Sequence, residues 1–218
     1  MLYLIRHGET DWNREPARCQ GWAEVGLNDT GRRQARELAA KLRDDGLGIE
    51  LIVSSHLTRA RETAEIVRAE LLGERPPEAL PLAVDERLAE TRRGRWETRA
   101  FAAIMAAEPD EWRAYREHPE TFRFPEGESL AQQQRRVLEG VRDAARTGRV
   151  ALLVTHGGSI RLVRCFLDGR GIEAFHDESP PNGGVYTIDA PDVAARIDAF
   201  LGLAAPPRPP DGGGAGLG

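Results

Sequence analysis

Cysteine, lysine and long apolar runs are all scarce in this 218-residue chain, and each scarcity removes a class of protein. The two cysteines, Cys19 and Cys165, are too few to frame a disulfide scaffold, and both are expected to be reduced, small thiols in or near the core. Lys41 is the single lysine among 30 basic residues, and Leu42 follows it, so the Gly-Lys-Ser/Thr of a Walker A loop is missing. No run of about 18 apolar residues offers a membrane span. The opening apolar stretch has neither a basic region before it nor a small-residue cleavage site after it. A cytoplasmic location and no membrane partner are expected. Excess positive charge is lacking too: the net charge is -5, which gives no global attraction to nucleic acid and leaves anion binding to local clusters. The five histidines show no metal-ligand spacing, and no metal site is expected.

What the chain does have is concentrated in its first thirteen residues, MLYLIRHGETDWN. Leu2 to Ile5 form a run short enough for a buried strand, and Arg6, His7 and Gly8 follow at once. In an open parallel sheet, ligands bind in the crevice beyond the carboxyl ends of the strands. Arg6 offers a planar fork for phosphate or carboxylate, His7 a nucleophile or base near neutral pH, and Gly8 a close backbone approach. The stretch reads as an anion site with a reactive centre.

The remaining pattern is that of an α/β protein. A helix is expected over Arg32 to Asp45, with Asp29 or Thr30 as its cap and Gly46 as its stop. Leu51 to Val53 form a second buried strand ending in Ser54, Ser55 and His56, and a helix from about Leu57 to Leu72 carries Arg59 in its first turn. Leu82 to Val84 are a short strand. From Asp85 to Pro125 aromatics interleave with charges, which is read as one or two short helices and loops lying over the sheet. A helix opens near Ser129 and stops at Gly148. Val150 to Thr155 are the clearest strand, ending in His156, Gly157 and Gly158, with a helix from Ser159 to Leu167. A last strand lies within Asn182 to Asp189. One domain is expected over residues 1–203, with a disordered Pro- and Gly-rich tail at 204–218.

Three strand ends thus carry unusual polar residues: Arg6 with His7, the segment leading to Arg59, and His156. In one parallel sheet they converge on one edge, where two arginines and two imidazoles suit a tetrahedral dianion. The helix beginning near Leu57 is expected to aim its amides at the same point.

These segments resemble the histidine phosphatase superfamily, the group that includes cofactor-dependent phosphoglycerate mutases. The resemblance rests on LIRHGETDWN (Leu4 to Asn13), GLNDTGRRQA (Gly26 to Ala35), SSHLTRARETA (Ser54 to Ala64), RLAETRRGRWE (Arg87 to Glu97), PEGES (Pro125 to Ser129) and VTHGGSIR (Val154 to Arg161), in the family's order. It implies a three-layer α/β/α sandwich with a mostly parallel central sheet and a helical/loop cap insertion at about 91–126. It implies further that His7 is the nucleophile that forms a phosphohistidine, and that Glu90 is the general acid and base. Arg6, Arg59, His156, Asn13 and Gly157 would bind the phosphoryl group. No cofactor or metal is implied, and the partner would be a small phosphorylated metabolite. Dimers are common among relatives, so a homodimer is an open possibility.

The chain departs from the family at three places. His56 stands where many relatives have an acidic residue, which bears on how Arg59 is oriented. Thr98 replaces the glycine that often follows Trp-Glu. The Glu-Arg-His-Tyr-Gly element of the mutases is here Glu90-Thr91-Arg92-Arg93-Gly94, which favours a phosphatase acting on a phosphomonoester over a mutase, with a non-catalytic phospho-ligand module as the third reading. Arg92, Arg93 and Arg95 are either receptors for a second anionic group or a solvated basic face. Trp96, Phe101, Trp112 and Tyr115 either line a leaving-group pocket or pack the cap. His118 and His176 are expected at the surface.

Overall fold

A computed structural model describes residues 1–189 and 191–203; the expected tail at 204–218 lies outside the described residues. One sheet contains β1 (Leu2–Arg6), β2 (Leu51–Ser54), β3 (Leu82–Val84), β4 (Ala151–Thr155) and β5 (Val185–Ile188). Its order is β3-β2-β4-β1-β5; the first four strands run parallel and β5 pairs antiparallel with β1. The helices in chain order are α1 (Asp29–Asp44), α2 (Thr58–Leu72), α3 (Phe101–Ala107), α4 (Pro109–Glu117), α5 (Leu130–Arg146), α6 (Gly157–Leu167) and α7 (Val193–Leu201).

Alternation along the strands separates two cores. Leu2 and Leu4 of β1, with Ala151 and Leu153 of β4, meet Val137, Val141, Ile160, Val163 and Ile197 from α5, α6 and α7. Tyr3, Ile5, Leu152 and Val154 face the other way, against Ala35, Leu38, Leu42, Ala60, Ala64 and Val67 of α1 and α2. The result is the expected three-layer α/β/α sandwich. Both central strands bury both faces, which explains why they read as unbroken apolar runs.

The cap has its own core. Trp96 is fully buried, with Phe124 and Tyr115 edge-on to its ring at centroid distances of 5.3 and 5.7 Å. Such edge-to-face packing lets a small segment bury much area with few residues. Thr98 occupies the left-handed region at φ 71°, where glycine carries no steric penalty. Its amide donates to the Cys19 carbonyl at 2.8 Å, so the cap keeps the turn that the missing glycine would have made.

Three local expectations are corrected. The cap of α1 is Asn28, whose side chain accepts from the Gly31 amide at 2.9 Å, because Asn28 has the extended backbone a cap needs whereas Asp29 and Thr30 are already helical. Helix α6 begins at Gly157, two residues earlier than expected, with His156 extended at its N-cap. Helix α7 was not anticipated; its Val193, Ile197 and Leu201 recur at four-residue spacing and close the core over α5.

Candidate active site

The carboxyl ends of β1, β2 and β4 meet beneath the cap, around a cavity of about 290 Å³. Arg6 ends β1, His7 and Gly8 follow it, and the loop is locked down by a close approach to α1. A Cβ on Gly8 would lie 2.5 Å from the Gly31 carbonyl oxygen, and one on Gly31 would lie 2.1 Å from that of Glu9. Only glycine fits at either position.

His7 is 3% exposed and held in one tautomer. Its Nδ1–H donates to the Gly8 carbonyl at 2.7 Å, so Nε2 keeps a bare lone pair, and Arg59 Nε donates to that lone pair at 3.3 Å. Burial, then the charges of Arg59 and Arg6, push the imidazole well below its ordinary 6.5. The ring is therefore neutral at neutral pH, which is the state a nucleophile requires.

Arg59 is fully buried, and burial pulls its pKa down to about 10, so it remains charged at neutral pH. Its other guanidinium nitrogens donate to the carbonyls of Gly21 at 2.7 Å and Ala23 at 3.1 Å. Those two carbonyls orient the side chain, and the His56 substitution leaves it in place; His56 instead packs edge-on to Trp22 at 4.9 Å. At the start of α2 one amide is already engaged. The Thr58 amide is taken by the Glu24 carboxylate at 3.0 Å, and it is the first turn of α6, at Gly157 and Gly158, that faces the cavity.

Arg6 donates to the Pro180 carbonyl, and its Nε is buried without a protein partner. Asn13 lines the cavity, and its Oδ1 accepts from the Thr10 amide at 2.9 Å. His156 is fully buried and off the cavity wall, with its ring centroid 5.1 Å from that of His7. Its Nε2 meets the Ser55 hydroxyl at 2.8 Å, and its Nδ1 has no partner among the described residues. Burial first, then Arg59, holds this ring neutral as well.

Glu90 reaches the cavity from the segment after β3. One carboxylate oxygen accepts from the Thr91 amide at 2.9 Å and from Gln133 at 3.3 Å, the other from the Gly158 amide at 3.2 Å. Burial pushes its pKa up, but the charge of Arg93 and the amides of Thr91 and Gly158 outweigh it and hold the group at about 2. The protein's own groups thus keep Glu90 ionised, contrary to a carboxyl already protonated for acid catalysis. Its backbone is fixed from outside: the Glu90 carbonyl accepts from Trp22 Nε1 at 2.7 Å and from Arg136 at 2.8 Å.

The cap residues sort themselves. Arg93 enters the cavity, while Arg92 lies outside it against Trp22 and Arg95 pairs with Glu108. Phe101, Trp112 and Tyr115 line the cavity, whereas Trp96 is cap core. His118 is exposed as expected, but His176 is half-buried on the cavity wall. Sequence reasoning missed Arg161, Arg116, Gly158 and Gln133. Arg161 stands three residues after Gly158, on the same face of α6, and that spacing was available as a signal. Among the described residues no group of three or more His, Cys, Asp or Glu is placed to hold a metal ion.

Comparison with known proteins gives a consistent set of relatives. Residues 2–200 match the family model of the "Histidine phosphatase superfamily (branch 1)". A "Probable phosphoglycerate mutase GpmB" of Escherichia coli O1:K1 is 38% identical over 159 residues, which is 72% of this chain and 69% of that protein. Among solved structures, Bacillus stearothermophilus YhfR superposes with a TM-score of 0.76 at 31% identity, covering 86% of this chain and 91% of its own. A mycobacterial glucosyl-3-phosphoglycerate phosphatase superposes with a TM-score of 0.72 at 31% identity, covering 84% and 88%.

Proposed function

The chain belongs to the histidine phosphatase superfamily, branch 1, and from that premise we propose that it hydrolyses a small phosphomonoester through a phosphohistidine on His7. The observation that carries this reading is the pose of His7: Nδ1 tied to the Gly8 carbonyl, Nε2 bare and met by the Arg59 guanidinium at 3.3 Å. Nε2 attacks phosphorus, and the bond from phosphorus to the leaving oxygen breaks. Glu90 supplies the proton that the leaving oxygen takes up. Water then attacks the phosphohistidine, gives its proton to Glu90, and releases phosphate with His7 restored.

The charge that spreads over the phosphoryl oxygens in the transition state meets Arg6, Arg59 and the Gly157 amide at the start of α6, all fixed before substrate arrives. His156 holds a neutral ring beside His7. Metal is not needed in this scheme, because guanidinium groups supply the positive charge. Glu90 takes its proton from solvent as substrate binds, because a phosphate dianion beside the carboxyl opposes Arg93 and Arg59 and raises its pKa by like-charge repulsion.

A mutase would use the same residues but return the phosphoryl group to substrate, and the name of the Escherichia coli relative keeps that reading in play. The departure at Thr91-Arg92-Arg93 favours water as the acceptor. The test is incubation with phosphorylated sugars, glycerates and p-nitrophenyl phosphate, measuring free phosphate and isomerised product. Phosphate release that disappears in His7→Ala supports hydrolysis. Isomerisation without release makes it a mutase.

A further inference from the structure

The cavity is lopsided in charge: Arg6, Arg18, Arg59, Arg93, Arg116 and Arg161 line it against one carboxylate, Glu90. Many arginines elsewhere are matched, Arg87 with Asp85 and Asp143, Arg95 and Arg99 with Glu108, Arg136 with Glu128. Among the described residues, none of the six cavity arginines has a carboxylate oxygen within 4.0 Å. Arg6 and Arg59 stand beside His7 and serve the phosphoryl group. The others are left over.

Three of them cluster at the outer end. Arg93 is only 9% exposed, its Nε has no partner, and its guanidinium lies 5.3 Å from the Phe124 ring and 5.8 Å from that of Tyr115. Arg161 also has a buried, unpartnered Nε; its guanidinium sits 5.3 Å over Phe175 and donates to Ser179 Oγ at 3.1 Å. Arg116 is aimed by His176, whose Nε2–H donates to the Tyr115 carbonyl at 2.9 Å and whose Nδ1 therefore accepts from Arg116 Nη1 at 2.9 Å. Aromatic faces hold the guanidinium planes in place but do not neutralise them. Glu90 is the one carboxylate facing this cluster, so the burial of its like charges is only partly compensated, and an arriving oxyanion offsets the remaining cost.

We propose that Arg93 and Arg161, with Arg116 at the mouth, form a second oxyanion subsite, so that the substrate is a small phosphomonoester whose leaving group carries its own carboxylate or second phosphate. The inference rests on the reading that the phosphoryl group sits at His7. At about 290 Å³ the cavity admits a metabolite of a few carbons between the two anionic ends, not a polymer.

The test uses pairs of ligands that differ only in the second anion: glycerol 3-phosphate against 3-phosphoglycerate, and fructose 6-phosphate against fructose 1,6-bisphosphate. Calorimetric titration of full-length His7→Ala reads binding without turnover. The doubly anionic member of at least one pair should bind about tenfold tighter or more, as charge-assisted hydrogen bonds allow. The pair with the larger ratio identifies carboxylate or phosphate. Adding Arg161→Gln or Arg93→Gln, each checked for folding by circular dichroism, should bring that ratio down toward one. Ratios near one in both pairs, or a ratio that survives Arg161→Gln, overturn the subsite. Failure of the phosphatase reading is separate: it appears as wild-type p-nitrophenyl phosphate turnover that does not depend on His7, while the binding ratios still decide the subsite.

Discussion

The inner end of the cavity is carried by strands and the outer end by the cap and its neighbours. Arg6 and His7 close β1, His156 follows β4 and Arg59 lies a few residues beyond β2, so backbone hydrogen bonds of the sheet place all four. Arg93 comes instead from the turn before a short helical segment at Gly94–Trp96, Arg116 from α4, His176 from a segment at Ile172–His176, and Arg161 from α6. These side chains are positioned by aromatic rings. The proposed reactive groups therefore sit on the rigid layer, and of the proposed subsite arginines Arg93 and Arg116 sit on cap segments that can vary without disturbing the sheet, while Arg161 sits on α6 beside it.

Four variants break or sharpen this contrast. His7→Ala removes the group on which the inner end depends and should lower turnover of any phosphomonoester by on the order of 10⁴-fold or more, read as released phosphate. Trp96→Ala strikes only the cap and should cost about 3–5 kcal/mol by urea denaturation, because it empties the centre of the aromatic cluster. If the sheet and cap unfold in separate steps, the two regions are independent beyond what the shared cavity suggests. Glu90→Gln links both ends. It should slow poorly activated esters by about 10²–10⁴-fold and p-nitrophenyl phosphate much less, since nitrophenolate needs no proton; equal losses would remove the acid role.

The smallest stability gain is expected from Thr98→Gly, which relieves a β-branched residue at φ 71°. It should raise stability by about 1 kcal/mol, after the entropy cost of glycine, without changing turnover. A pH series adds a further check. Burial first, then Arg116 and Arg161, holds native His176 at about 4 against an ordinary 6.5, so the unfolded chain binds a proton that the native state refuses. Stability should therefore fall as pH drops from about 6.5 toward 4, with His7 and His156 acting in the same direction. His176→Asn should flatten that slope in urea midpoints; an unchanged slope would take His176 off the cavity wall.

Legibility followed the same division. The runs at Leu2, Leu51 and Ala151 announced strands because both their faces are buried, and Arg6, His7, Arg59 and His156 announced a site because they end those strands. In the cap, Arg92, Arg93 and Arg95 could not be told apart, since one aromatic cluster turns Arg93 inward and Glu108 holds Arg95 out. His176 read as a surface residue, yet the edge of Tyr115 and its carbonyl draw it to the wall. Helix α7 was overlooked because Pro191 and the Pro- and Gly-rich end flank only nine helical residues.

By itself the sequence determined the α/β layering, the strand ends and the polar residues that stand beside them, because strand burial and the residues beside each strand are local properties. The tertiary structure alone decided which arginine faces the cavity, which helix offers its amides, and that Glu90 is held ionised. Those outcomes depend on charges and rings brought together from distant parts of the chain: Arg93 and Gly158 set the state of Glu90, and Glu24 takes one of the amides that α2 was expected to offer.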